Sequence, residues 1–320
     1  PCNLPGEPTR SENSYHVVTA EETDQTPILD GVTIAGGYSK RGAGAGMYND
    51  AASPTVNNCT FADNFAEDGG GMHNTDHSNP ILTNCTFTAN GAYAEEGSYG
   101  GAMQNSQSSP VLIGCKFERN WAGVRIPDHG GGGGGAIASF KSSLTITACT
   151  FADNTARCGG GAVLNGYQSR PTLTDCTFTG NVATGSWDQW GFGGAMYNDS
   201  ANPIVTNCTL AANTGLEGGA IHNSDAEPLF KNCIFSINTA RTAGGAVFNT
   251  YRSEATFANC TFERNTAANG NAIACYAWRP EHFNSLEVTN SIIWDGENSI
   301  WKTDDTTIEV TYSDVQYGYP

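Results

Sequence analysis

The chain has 320 residues, of which 39 are glycine and only 38% are apolar, and its 15 Lys+Arg stand against 32 Asp+Glu for a net charge of −17. Each glycine inside a helix costs about 1 kcal/mol relative to alanine, so a helix-rich domain is excluded. The acidic balance excludes nucleic acid and anionic membrane surfaces as partners and disfavours polyanionic polysaccharides, and no run of about 18 apolar residues predicts a membrane span.

Residues 1–15 read as an N-terminal extension and 16–320 as a single domain. The opening Pro1-Cys2-Asn3-Leu4-Pro5 shows no export signal, which is read as already removed; the abrupt ends suggest a piece of something longer. From Leu29, Val32 and Ile34 onward the chain repeats. Eight complete copies pair a G-G-A-apolar string with a C-x-F-x-x-N string. The first string ends at Met47, Met72, Met103, Ile137, Val163, Met196, Ile221 and Val247. The second starts at Cys59, Cys85, Cys115, Cys149, Cys176, Cys208, Cys233 and Cys260, with Leu210 in place of Phe in the sixth copy. Two degraded copies follow, carrying Val288, Ser291 and Ile293, then Val310, Ser313 and Val315.

One face of a strand recurs every second residue. Cys59 and Phe61 therefore share a face, whereas Val56, three residues before Cys59, does not keep that parity. A bend at the Asn58 column restores it; the column reads Asn58, Asn84, Gly114, Ala148, Asp175, Asn207, Asn232 and Asn259, mostly types that tolerate a left-handed backbone. Each copy is thus predicted to be three short strands, joined by one sharp bend and two longer turns. Parallel strands without helices between them close only by coiling, one circuit stacked on the next. The predicted fold is all-β: a three-sided parallel β-helix of about eleven rungs, with inward Cys and Phe ladders. Two recurring Asn columns, through Asn49 and through Asn64, predict amide ladders at the turns.

The eight in-column cysteines read as buried, free thiols, because in-register strands seldom give a disulfide its dihedral. Cys2, Cys158 and Cys275 lie off the column: Cys275 as core, Cys158 in a turn and facing solvent, Cys2 able to pair between molecules. No zinc spacing, EF-hand loop or calcium repeat appears. No metal site and no cofactor are expected, Ca2+ staying open without a motif to hold it. The pair His73 and His77 reads as a surface coincidence, the glycine run 130–135 lacks the Lys-Ser/Thr of a phosphate loop, and the Asn-Cys-Thr sequons follow from the repeat.

The turn before each G-G string varies in length, and the long versions, 91–99, 121–133 and 182–192, fall at one corner on nearby rungs. Insertions on one face of a repeat array often mark its binding face. Two walls are predicted there, with Thr155-Ala156-Arg157-Cys158-Gly159 as the floor. Tyr93, Tyr99, Trp121, Trp187, Trp190 and Phe192 are the candidate ligand-binding residues, since aromatic faces stack on sugar rings. Were the cleft catalytic, Arg125, Asp128, His129, Arg157 and Asp188 would supply the base and the charge stabiliser.

The paired G-G-A-[I/L/V/M] and F-x-x-N strings resemble the repeat of chlamydial polymorphic outer-membrane proteins and of other secreted bacterial right-handed parallel β-helix proteins, over residues 28–293. The resemblance implies a right-handed, pectate-lyase-like coil and an extracellular or cell-surface life of bacterial type. It implies an adhesive role, although no C-terminal membrane barrel follows the repeats here, and it brings no catalytic motif. The expected function is a structural or adhesive surface module that binds a polysaccharide or another surface ligand at the corner and self-associates end to end. The alternative is a polysaccharide lyase or glycoside hydrolase using the same cleft.

Overall fold

Strand Met47–Asp50 pairs in parallel with Val18–Glu21 before it and Met72–Thr75 after it, Met47 lying opposite Met72 and Asn49 opposite Asn74. That step, repeated, builds the whole protein. The computed structural model describes residues 13–95, 97–124, 132–185, 191–277, 279, 283–303 and 305–317. Three sheets of eleven parallel strands run along the coil, one strand per sheet per rung. The first runs from Val18–Glu21 to Ile300–Lys302, the second from Ile28–Asp30 to Thr306–Thr311, the third from Thr33–Ala35 to Asp314–Val315. The three-sided coil is the one the repeats predict.

The interior is built from the predicted columns. Phe61 lies opposite Phe87, Phe87 opposite Phe117 and Phe117 opposite Phe151, all fully buried. Their rings stack at 4.4–4.9 Å between centroids. The eight cysteines are buried and free, and Cys275 is buried as well. The ladder thiols donate to backbone carbonyls: Cys85 Sγ to Val56 O at 3.4 Å, Cys233 Sγ to Lys231 O at 3.2 Å.

The bend at the Asn58 column is left-handed throughout: φ is 52° at Asn58, 53° at Asn84, 63° at Gly114, 53° at Ala148 and 56° at Asp175. A second left-handed bend, which the residue types do not announce, precedes the Asn64 column. It carries Asp63, Ala89, Arg119, Asp153, Gly180, Ala212, Ile237 and Arg264 at φ between 53° and 66°. Stacking on neighbouring rungs holds this backbone whatever the side chain. Ile237, β-branched, 49% exposed and at φ 57°, is the least suited of them. Ile237→Asn is expected to stabilise the coil by about 1 kcal/mol, because asparagine meets that conformation with less strain. Urea unfolding measures it, and an unchanged or lowered midpoint would count against strain at this bend.

One element is new relative to the sequence reading. Between the third and first sheets, where a turn is expected, a fourth parallel sheet of eight strands runs from Tyr38–Ala43 to Thr239–Ala243. The short connection after Asn64 is itself the strand Phe65–Asp68, and the three long ones begin as the strands Gly91–Ala94, Trp121–Val124 and Val182–Ala183. The corner expected to hold only loops is therefore partly built of paired strands.

Candidate functional site

The corner where the fourth sheet turns into the first carries a column of single parallel bridges on successive rungs: Tyr99 to Gly133, Gly133 to Gly159, Gly159 to Phe192, and Phe192 to Glu217. Two glycines thus stand between two aromatic residues. At about 4.8 Å per rung, three steps separate Tyr99 from Phe192 by about 14 Å. On the outer face of the first sheet the register adds a second row, Phe140 opposite Gly166 and Gly166 opposite Asp199. A third places Leu164 opposite Tyr197.

Together these rows enclose a cleft of about 390 Å³. Tyr99, Phe140 and Tyr167 form one wall, with Tyr99 edge-on to Phe140 at 5.1 Å and Phe140 at 5.7 Å from Tyr167. Phe192 and Tyr197, 5.5 Å apart, form the other. Gly132, Gly133, Cys158, Gly159 and Gly166 floor the space between them. The floor needs glycine. A Cβ on Gly159 would meet the Tyr197 ring at 2.5 Å, and one on Gly166 would meet the Phe140 ring at 3.1 Å. The missing side chains let the rings lie down over the backbone.

Asp199 is the one charged residue of the described lining. Burial pushes its carboxyl above the usual range and neighbouring Asp225 adds to the push, while the Ser200 hydroxyl opposes it. Burial likewise raises the hydroxyls of Tyr99 and Tyr197, which stay protonated at neutral pH. Behind Phe192 and Tyr197 sits His222, 2% exposed and 3.9 Å from the Glu217 carboxylate. Burial lowers His222 to about 3 and raises the Glu217 carboxyl, so His222 is neutral at ordinary pH. On the far side the Tyr99 N–H donates to Asp68 Oδ1 at 2.7 Å, and burial pushes that carboxyl up to about 7.

The structure brings Tyr99 and Phe192, two of the expected ligand-binding residues, into this cleft, and with them Cys158 and Gly159 of the expected floor. Cys158 faces the cleft, half-buried. Tyr93 and Trp121 sit elsewhere. They pack on the outer face of the fourth sheet against Phe65, at 6.5 and 5.8 Å, with Trp121 lying over Gly91. Arg157 is half-buried outside the lining. Trp187, Trp190, Arg125, Asp128, His129 and Asp188 lie outside the described residues. Among the described residues no cluster of His, Cys, Asp or Glu could hold a metal ion.

Comparison with known families matches a right-handed β-helix region over residues 16–189 and 186–315. The chain is a right-handed β-helix protein. No curated protein and no solved structure matches it. The right-handed β-helix is a scaffold of surface and enzyme-like modules, often extracellular. Among the described residues no helix is long and apolar enough to cross a membrane. In this β-helix the cleft occupies the outer face of the first sheet and the corner beside it. Phe140, Leu164, Gly166, Tyr167, Tyr197 and Asp199 are the lining residues that loop lengths do not reveal. A signal for two of them, Leu164 and Tyr197, exists in the sequence. The position after the Met column reads Tyr48, His73, Gln104, Ala138, Leu164, Tyr197, His222 and Phe248, varied where the inward columns are constant.

Proposed function

We propose that this right-handed β-helix is an extracellular surface module that holds a glycan in the aromatic cleft. The observation that supports it is the pair of aromatic walls across a glycine floor. Flat rings with an open slot between them present apolar faces to the apolar faces of sugar rings, and tyrosine hydroxyls add hydrogen bonds at the edge. The resemblance to adhesive bacterial surface repeats agrees with that role. Hydrolysis is the weaker reading, because glycosidases ordinarily use two carboxyl groups and the described lining offers Asp199 alone.

A glycan array followed by calorimetry tests the proposal. Tyr197→Ala and Phe140→Ala, each removing one wall, are expected to weaken binding about tenfold or more, the equivalent of about 1.4 kcal/mol. Trp121→Ala, on the outer face of the fourth sheet, is expected to leave it unchanged. Wild-type protein that ignores every glycan, or binding indifferent to both wall variants, overturns the proposal.

A further inference from the structure

The chemistry of the cleft points to a charge on its ligand. Five aromatic rings and one carboxylate line it, and no lysine, arginine or histidine stands among the described lining. Among the described residues no cation forms an ion pair with Asp199, although exposed Lys141 follows Phe140 and half-buried Arg157 precedes Cys158. Arg252 is committed to Asp225 at 3.1 Å, and His222 behind the Phe192 wall is neutral. Glu217, next in the corner column, and Asp68, under the Tyr99 backbone, are acids. Asp199 is therefore a half-buried carboxylate without a counter-ion among the described residues, in a protein of net charge −17.

Two independent features then favour the same partner. A partly desolvated anion is costly until a positive charge reaches it. Ring faces carry the negative end of the aromatic quadrupole and attract cations, most of all organic ammonium groups enclosed by several rings. The register sets Asp199 two rungs from Phe140 with only Gly166 between them, about 10 Å from strand to strand. The Phe140 ring lies over Gly166 in that interval, so a ligand in the cleft of about 390 Å³ meets the ring and the Asp199 carboxylate side by side. A neutral hexose would use the rings and leave Asp199 uncompensated; a uronate would be repelled.

We propose that the cleft selects an organic ammonium ligand, with the rings around its carbon skeleton and Asp199 as its counter-ion. Resting on the glycan reading above, the expected source is an amino sugar with a free amine; a choline-type head group carries the same chemistry. The experiment is calorimetric titration of the whole chain with three probes: glucosamine oligomers, their N-acetylated counterparts, and choline, at a pH where the amine is protonated. The free-amine oligomer is expected to bind at least about tenfold tighter than the acetylated one, as a charge-assisted contact implies. Asp199→Asn, checked for native unfolding behaviour, brings that ratio close to one while acetylated oligomers bind as before. Should Asp199→Asn fail to fold, added salt on the wild type serves instead, weakening the amine and sparing the acetylated form. Choline binding without either oligomer supports ammonium selection and sinks the glycan reading. Equal or tighter binding of the acetylated oligomer, or a preference that survives Asp199→Asn or added salt, overturns ammonium selection and leaves the glycan reading standing. No binding by any probe overturns both.

Discussion

Asn154→Ala is expected to cost at least about 4 kcal/mol of stability, at about 1 kcal/mol for each of four hydrogen bonds lost. Its side chain donates to Phe117 O at 2.9 Å and to Asn181 Oδ1 at 3.0 Å. It accepts from the Asn120 backbone N–H and from Asn120 Nδ2, both at 3.0 Å. Each partner is buried, so water cannot replace what is removed, and orphaned groups add to the loss. The exposed asparagine ladder supplies the contrast. Asn207 donates to Asp175 at 3.1 Å and accepts from Asn232 at 3.0 Å, but in solvent. Asn207→Gly suits the φ of 54° there and is expected to cost about 0.5 kcal/mol or less. Urea unfolding of both variants decides the matter. Equal losses would mean that burial of the amides contributes nothing and that the inner ladder is not what holds successive rungs in register.

Phe151→Ala should cost about 3–5 kcal/mol, the range for emptying a large aromatic site in a core. The ring is fully buried, with Phe117 at 4.9 Å on one side and Phe178 at 4.6 Å on the other. Its neighbours are fixed by their own strands and collapse poorly into the gap. Phe151→Leu should cost about 1.5 kcal/mol or less, as a swap that keeps most of the volume and the hydrophobic character. The same column already holds leucine at Leu210, buried and opposite Phe178. Thermal unfolding of the two variants separates volume from ring stacking. If leucine proves as damaging as alanine, it is the continuity of the stacked rings, and not the filled space, that stabilises the column.

Repetition explains what can be read in the residues alone. The cysteine, phenylalanine and asparagine columns face one another across about 4.8 Å, so a rung that works is copied, and the copies betray the strands. The parity break at Val56, Asn58 and Cys59 places the first bend for the same reason: two inward residues three apart cannot share a straight strand. The second bend, at Asp63 and Ile237, escapes because its left-handed backbone is held by neighbouring rungs and not by residue type. The fourth sheet escapes because its strands are two to six residues long and vary from Thr155–Ala156 to Tyr38–Ala43. The candidate cleft sits where the repeat is least regular. Loop lengths mark the corner and include Tyr99 and Phe192 of the cleft lining, yet they say nothing of Phe140, Tyr197 or Asp199. Those three face outward on the first sheet, and the need to bury a core does not constrain them. The same limit misplaces Trp121, whose ring finds Gly91 and Phe65 on its own sheet before it could reach the cleft.

The file of sulfurs has a practical corollary. Ten cysteines are described, nine of them sealed inside, and burial pushes the Cys275 thiol up to about 12, where reagents find almost no thiolate to attack. Cys158 alone is half-buried, beside the cleft. Alkylation of any other described thiol would therefore register the momentary opening of the circuit that carries it. The molecule holds its own set of chemical clocks, spaced along its axis, from which the order in which its turns come apart can be timed.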